Sequence, residues 1–142
     1  MPANNANNAM IMMELKKVSS AYDSAISKAR AAKTIREVVN ATHVTVPGYL
    51  KAITRSLPER RRLESTAEQS AERLVRAQLL DLRALDPEER QKQIGRLKAN
   101  DWSLLSGNFP RLVRFVDREV AAMRHEQTEQ GNDTALRPRL RF

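Results

Sequence analysis

The residues Ile11, Leu15, Val18, Tyr22, Ala25, Ala29 and Ala32 recur at alternating steps of four and three. That spacing gathers every member on one side of a helix with 3.6 residues per turn. A strand, whose faces alternate every two residues, would scatter them. The pattern predicts a long N-terminal amphipathic helix from Met10, continued by Ile35 and Val39 and ending near Ala41. Along it the seam shrinks from large side chains to alanines, so another helix can approach closely. The face opposite is rich in Ser and thinly charged, so the helix needs tertiary support. Residues 1–9, mostly Asn and Ala with no periodicity, are expected to form a disordered leader.

Punctuation divides the rest. Thr42–Val46 is β-branched and ends at Pro47–Gly48, which predicts an extended connector. A short helix is expected over Tyr49–Arg55, with Tyr49, Leu50 and Ile53 on one side. Ser56-Leu-Pro-Glu59 reads as a capping box, opening a helix to about Leu85 with Leu63, Ala67, Ala71, Leu74 and Gln78 along its stripe. Leu79, Leu80 and Leu82 widen the apolar face at its end, which is expected to be the more deeply buried one. Asp86-Pro87-Glu88-Glu89 is a second start signal, with a cap, a proline at the first helical position and acids in the first turn. That helix carries Ile94 and Leu97 and breaks at Asn100–Asp101. Trp102–Ser106 adds one turn stopped by Gly107. Asn108-Phe109-Pro110 then starts a last helix to about Thr128, with Leu112, Val113, Val116, Val120 and Met123 inward and Gly131–Asn132 closing it. The fold class is all-α: a small helical bundle, one domain over residues 10–130, followed by a short basic tail over 131–142.

Composition limits what such a bundle can do. Leu, Ile, Val and Phe total 32 of 142 residues, not far above the level of about 20% below which chains tend to stay disordered. Regular, locally favoured structure must therefore carry much of the fold. With no Cys, a disulfide framework, a zinc–thiolate site and a cysteine nucleophile are excluded. The longest apolar run, Met10–Met13, is far too short to span a bilayer, and its lysines follow it, unlike those of a secretory signal. A cytoplasmic location is expected, with a translocated or virion-associated protein as the other possibility. His43 and His125 lie in different elements and form no metal-ligand pair, and the four glycines are isolated, leaving no phosphate-cradling loop. The acids have structural explanations in helix first turns or beside arginines. A non-enzymatic protein without metal or cofactor is expected.

The informative signal is positive charge. There are 25 Lys and Arg against 17 Asp and Glu, a formal net charge of +8, with 18 arginines and 7 lysines. Arginine is the better planar fork for phosphate, although high-GC codon usage produces the same bias. Three clusters stand out. Lys51, Arg55, Arg60, Arg61 and Arg62 flank a helix start, where positive charge opposes the helix dipole at a cost of about 0.3–1 kcal/mol each when exposed. They are read either as neutralised by Glu59 and Glu64 or as an anion site at the junction of two helices. Arg111, Arg114, Arg118 and His125 fall within about 60° of one another on the last helix, away from its apolar stripe. A basic stripe preceded by a short helix and a Gly turn is how a groove-reading helix is often presented, although polar Asn108 stands where an apolar residue is usual. The other reading is a solvated face balancing Asp117, Glu119 and Glu126.

The third cluster is Arg137, Arg139 and Arg141 with Pro138, an arm able to lie along phosphates or enter a minor groove. This Arg-x-Arg-x-Arg terminus also resembles the basic export signals of some bacterial type IV secretion substrates, a likeness of six residues. Trp102 and Phe109 are expected to lock the two final helices together. Binding to DNA or RNA through backbone phosphates is the expectation that the arginines carry, with Arg60–Arg62, Arg111, Arg114, Arg118 and the tail as the footprint. The rival is a helical adaptor or structural component (virion, secretion-system or translocated factor). Its seam from Ile11 to Ala32 would dock a protein partner or a second copy. Attachment to an anionic membrane by the same arginines is a third possibility.

Overall fold

A computed structural model describes the backbone of residues 2–100 and 102–140 and the side chains of residues 8–97 and 102–125. Among the described residues seven α-helices follow one another: α1 (Pro2–Ala31), α2 (Ile35–Ala41), α3 (Lys51–Thr54), α4 (Pro58–Ala84), α5 (Pro87–Asn100), α6 (Trp102–Asn108) and α7 (Pro110–Leu140). A 3-10 turn, Gly48–Leu50, leads into α3. Among the described residues there is no strand, and the class is all-α. The predicted leader over residues 1–9 lies outside the described side chains but for Asn8 and Ala9, which are exposed. The predicted stop at Gly131–Asn132 is not made, since α7 runs on to Leu140, and the side chains of the basic tail are not described.

The chain forms two compact units, Met1–Leu74 and Val75–Phe142, with the break inside α4. In the first unit Val18, Tyr22, Ala25, Ile26, Ala29, Ala41, Leu50 and Leu63 form one buried cluster, with Ile11, Leu15, Val44, Val46 and Leu57 packed against it. The N-terminal seam thus faces the chain's own α2 and α4. Its alanines serve that close approach, and Ala29 is fully buried. The single long helix expected over Met10–Ala41 is two helices. Thr34 adopts extended backbone, its Oγ1 accepts from Glu37 N–H at 3.1 Å, and the Glu37 carboxylate accepts from Lys33 N–H at 2.7 Å. Thr34-x-x-Glu37 is a capping arrangement, and it starts α2 afresh. The carbonyls left open at the end of α1 are taken by Arg73 of α4, whose Nη2 donates to Arg30 O and Ala32 O, each at 3.2 Å.

The expected Ser56 cap is corrected in the opposite direction. Helix α4 starts at Pro58, and the Ser56 hydroxyl donates back to Ile53 O at 3.0 Å, closing α3 instead of opening α4. On the preceding turn Leu50 is buried while Tyr49 and Ile53 are exposed, because the 3-10 step rotates Tyr49 away from Leu50 and the following α-turn carries Ile53 outward.

In the second unit the Asp86 start signal holds as expected: Asp86 Oδ1 accepts from Glu89 N–H at 2.9 Å, and Pro87 is the first residue of α5. The end of α4 is closed by Arg90, which donates from Nε to Leu82 O at 3.0 Å and from Nη2 to Arg83 O and Leu85 O at 3.1 and 3.0 Å. Ile94, Leu105, Phe109, Leu112, Val116, Val120 and Met123 are buried, and Trp102 is half-buried. Leu80, expected to be buried at the end of α4, is 68% exposed. It lies opposite Leu82 on the helix, so both cannot face one core. Gly107 does not stop α6, since no described glycine has positive φ and the helix continues to Asn108, whose side chain donates to Leu104 O at 2.9 Å. The break comes from Pro110, which disfavours helical backbone at Phe109 and starts α7.

Candidate nucleic-acid interface

Helix α7 is amphipathic in the sense its sequence requires. Leu112, Val116, Val120 and Met123 point inward. Arg111, Arg114 and Arg118 occupy the diametrically opposite face and are exposed. Seven residues of helix separate the first from the last, about 10 Å of axis. No hydrogen bond or ion pair joins these three guanidinium groups to another described residue. The acids nearest in sequence are engaged elsewhere: Glu119 accepts from Arg83 Nη2 of α4 at 2.9 Å, and Asp117 also has an interaction of its own. Neither Asp117 nor Glu119 pairs with these three arginines, and Glu126, the third acid expected to balance the face, lies outside the described side chains. His125, the fourth member of the stripe, is exposed and likewise engaged. Phe115, at the margin, carries the Arg76 guanidinium 4.6 Å from its ring centroid, so one face of the ring is covered by a cation–π contact.

The cluster around the start of α4 divides. Lys51 and Arg55 stand four residues apart and share a face across α3. Together with Arg60 they line an open cavity of about 430 Å³ in the first unit. Arg60 lies 3.4 Å, Nε to Oε1, from Glu64, which lines the same cavity. Arg61 and Arg62 are exposed and are not part of its wall. Successive residues rotate by about 100°, so three consecutive arginines cannot share a direction when Leu63, the next residue, is buried in the core. Lys51 and Arg55 have no ion-pair partner among the described residues.

The side chains of Arg137 and Arg139 are not described, and Arg141 lies outside the described residues. The seam residues Val18, Tyr22, Ala25, Ala29 and Ala32 are buried, and Ile11 and Leu15 are half-buried against the same core, so the proposed docking edge is already covered by this chain. Met10, Met12 and Met13 remain 57–66% exposed at the start of α1.

Several arginines have structural duties that spacing did not disclose. Arg73 and Arg90 close the carbonyl ends of α1 and α4, Arg83 bridges α4 to α7, and Arg76 covers Phe115. Tyr22 was visible only as a seam residue, yet it lines the basic cavity as well. Nothing in sequence links it to side chains some thirty residues away. Among the described residues no group of three or more His, Asp or Glu could hold a metal ion, and no helix is long and apolar enough to cross a membrane. Comparison with known protein families, curated proteins and solved structures finds no match to this chain.

Proposed function

We propose that this is a non-enzymatic, cytoplasmic nucleic-acid-binding protein that engages backbone phosphates of DNA or RNA through the outer face of α7. The observation that carries the reading is the alignment of Arg111, Arg114 and Arg118 on one exposed face with no partner among the described residues. An unpaired guanidinium has its full hydrogen-bonding fork to offer, and phosphate is the anion that matches it. About 10 Å of duplex presents roughly six phosphate charges, so each arginine has a partner within reach. Arg61 and Arg62, exposed on α4, and the C-terminal arginines add long-range attraction. Binding of this kind depends on counterion release and reads little sequence. Fluorescence anisotropy with labelled duplex DNA and hairpin RNA tests it between 50 and 200 mM salt. Affinity is expected to fall steeply with salt for both, and absence of binding to either at 50 mM salt overturns the proposal.

One observation favours a second reading as an adaptor or structural component. Met10, Met12 and Met13 present unbranched apolar side chains to solvent, a surface suited to a protein partner or to self-association. Light scattering on a sizing column checks the self-association version: an oligomer that dissociates on Met12→Glu with Met13→Glu supports it, and a monomer at all concentrations opposes it. Anionic membrane is the weakest of the three partners. Binding to vesicles that does not increase with their acidic lipid content would remove it.

A further inference from the structure

We propose that the cavity walled by α1, α3 and α4 is a binding site for a phosphate monoester attached to a small organic body, a site distinct from the α7 stripe and independent of what that stripe binds. The cavity holds Lys51, Arg55 and Arg60 against a single carboxylate, Glu64, leaving two positive charges in excess. Glu64 faces Arg60 and is itself largely exposed, so Lys51 and Arg55 keep their charges uncompensated.

A second observation, unrelated to charge, points to a ligand in the same place. Tyr22 is only 6% exposed and lines this cavity, yet its hydroxyl has no hydrogen-bond partner among the described residues. The ring is packed in the core while the hydroxyl still reaches the water of the cavity, so a ligand entering there meets a phenol that can donate to it. The neighbouring hydroxyls in the wall are already engaged: Thr42 Oγ1 donates to Val39 O at 2.6 Å and Thr54 Oγ1 to Lys51 O at 3.0 Å. Tyr22 thus contributes a free donor to a concavity that already has two unpaired cations.

The chemistry of the wall selects the ligand. A phosphate monoester carries about −1.5 to −2 charges at neutral pH and three acceptor oxygens, matching an excess of two positive charges and a set of donors from Lys, Arg and Tyr. A carboxylate would satisfy one fork and leave the other cation and the phenol unused. Val44, Val46 and Leu63 supply the apolar portion of the wall, which suits the organic body that a free inorganic phosphate lacks. A phosphate monoester of this description is offered by a free mononucleotide and by the 5′ end of a phosphorylated nucleic acid, and the experiment separates the two.

Isothermal titration of the full chain at 150 mM salt uses adenosine monophosphate, adenosine and inorganic phosphate, and in parallel a single-stranded decamer with a 5′-phosphate and the same decamer with a 5′-hydroxyl. We expect at least one phosphorylated probe to bind more tightly than its dephosphorylated counterpart by tenfold or more. A preference confined to adenosine monophosphate identifies a small-molecule site, and one confined to the decamer identifies a chain-end site. Tyr22→Phe removes only the unpartnered hydroxyl and should weaken that binding about tenfold with an unchanged helical spectrum. Lys51→Ala with Arg55→Ala, both exposed, should abolish the preference. The triple change Arg111→Gln, Arg114→Gln and Arg118→Gln should leave it intact, even if it abolishes other nucleic-acid binding. Equal binding of phosphorylated and dephosphorylated probes in both series, or a preference that survives the Lys51–Arg55 double change, overturns the proposal.

Discussion

Two sets of arginines with opposite duties give a test in which each set controls for the other. Arg90 is half-buried and donates three hydrogen bonds to Leu82, Arg83 and Leu85 carbonyls at 3.0–3.1 Å. Hydrogen bonds from charged donors are worth about 1.5–3 kcal/mol each, but the three share one side chain and the freed carbonyls at a helix end regain some water. Arg90→Ala is therefore expected to cost about 2–4 kcal/mol. With a urea dependence of about 2 kcal/mol per molar, the unfolding midpoint moves down by about 1–2 M. The same substitution should leave the salt dependence of duplex binding unchanged. Arg111, Arg114 and Arg118 bond to no other described residue, so changing all three to Gln is expected to keep stability within about 0.5 kcal/mol. It should make the log–log salt slope shallower by about 2.7, at about 0.9 per phosphate. Over 50–200 mM salt that difference amounts to a change in affinity ratio of about fortyfold. Urea unfolding followed by circular dichroism and anisotropy at four salt concentrations give both readouts for both variants. If the α7 triple variant keeps the parent slope, or Arg90→Ala unfolds like the parent protein, the division of labour described above is mistaken.

Three further expectations concern the scaffold. Thr34→Ala removes the acceptor for Glu37 N–H at the start of α2 and should lower stability by about 1 kcal/mol in the same urea titration, while Thr34→Ser should restore most of it. Ala29→Leu forces a larger side chain into a fully buried position of the alanine seam and should cost about 1–3 kcal/mol, read as a lowered thermal midpoint. Gly95→Ala, in the interior of α5 with no atom near the added methyl, should stabilise by up to about 1 kcal/mol and raise that midpoint.

Much of the architecture was legible because its causes are local. Asp86-Pro87-Glu88-Glu89 started a helix where expected, since the carboxylate, the proline φ and the first-turn N–H groups all lie within four residues. The inward faces over Val18–Ala32 and Leu112–Met123 followed from periodicity alone, which is a property of the helix and not of what it packs against. Where the reading failed, the deciding atom lay outside the window. Ser56-x-x-Glu59 and Thr34-x-x-Glu37 carry the same motif, yet the Ser56 hydroxyl donates to the turn before it and only Thr34 caps a helix. Leu80 joins an apolar run but faces solvent, because the direction of the core around α4 is set by other helices.

Residue order by itself determined an all-helical chain, its main start signals and the presence of an arginine face on the last helix, since each of these rests on interactions within one or two turns. Tertiary structure decided which arginines are already spent on carbonyls, carboxylates and a ring and which remain open to a partner. It also brought Tyr22 beside Lys51, Arg55 and Arg60. A guanidinium reaches several ångströms and takes whatever acceptor the folded chain leaves open nearby, and that is a matter of three-dimensional proximity, on which spacing along the chain is silent.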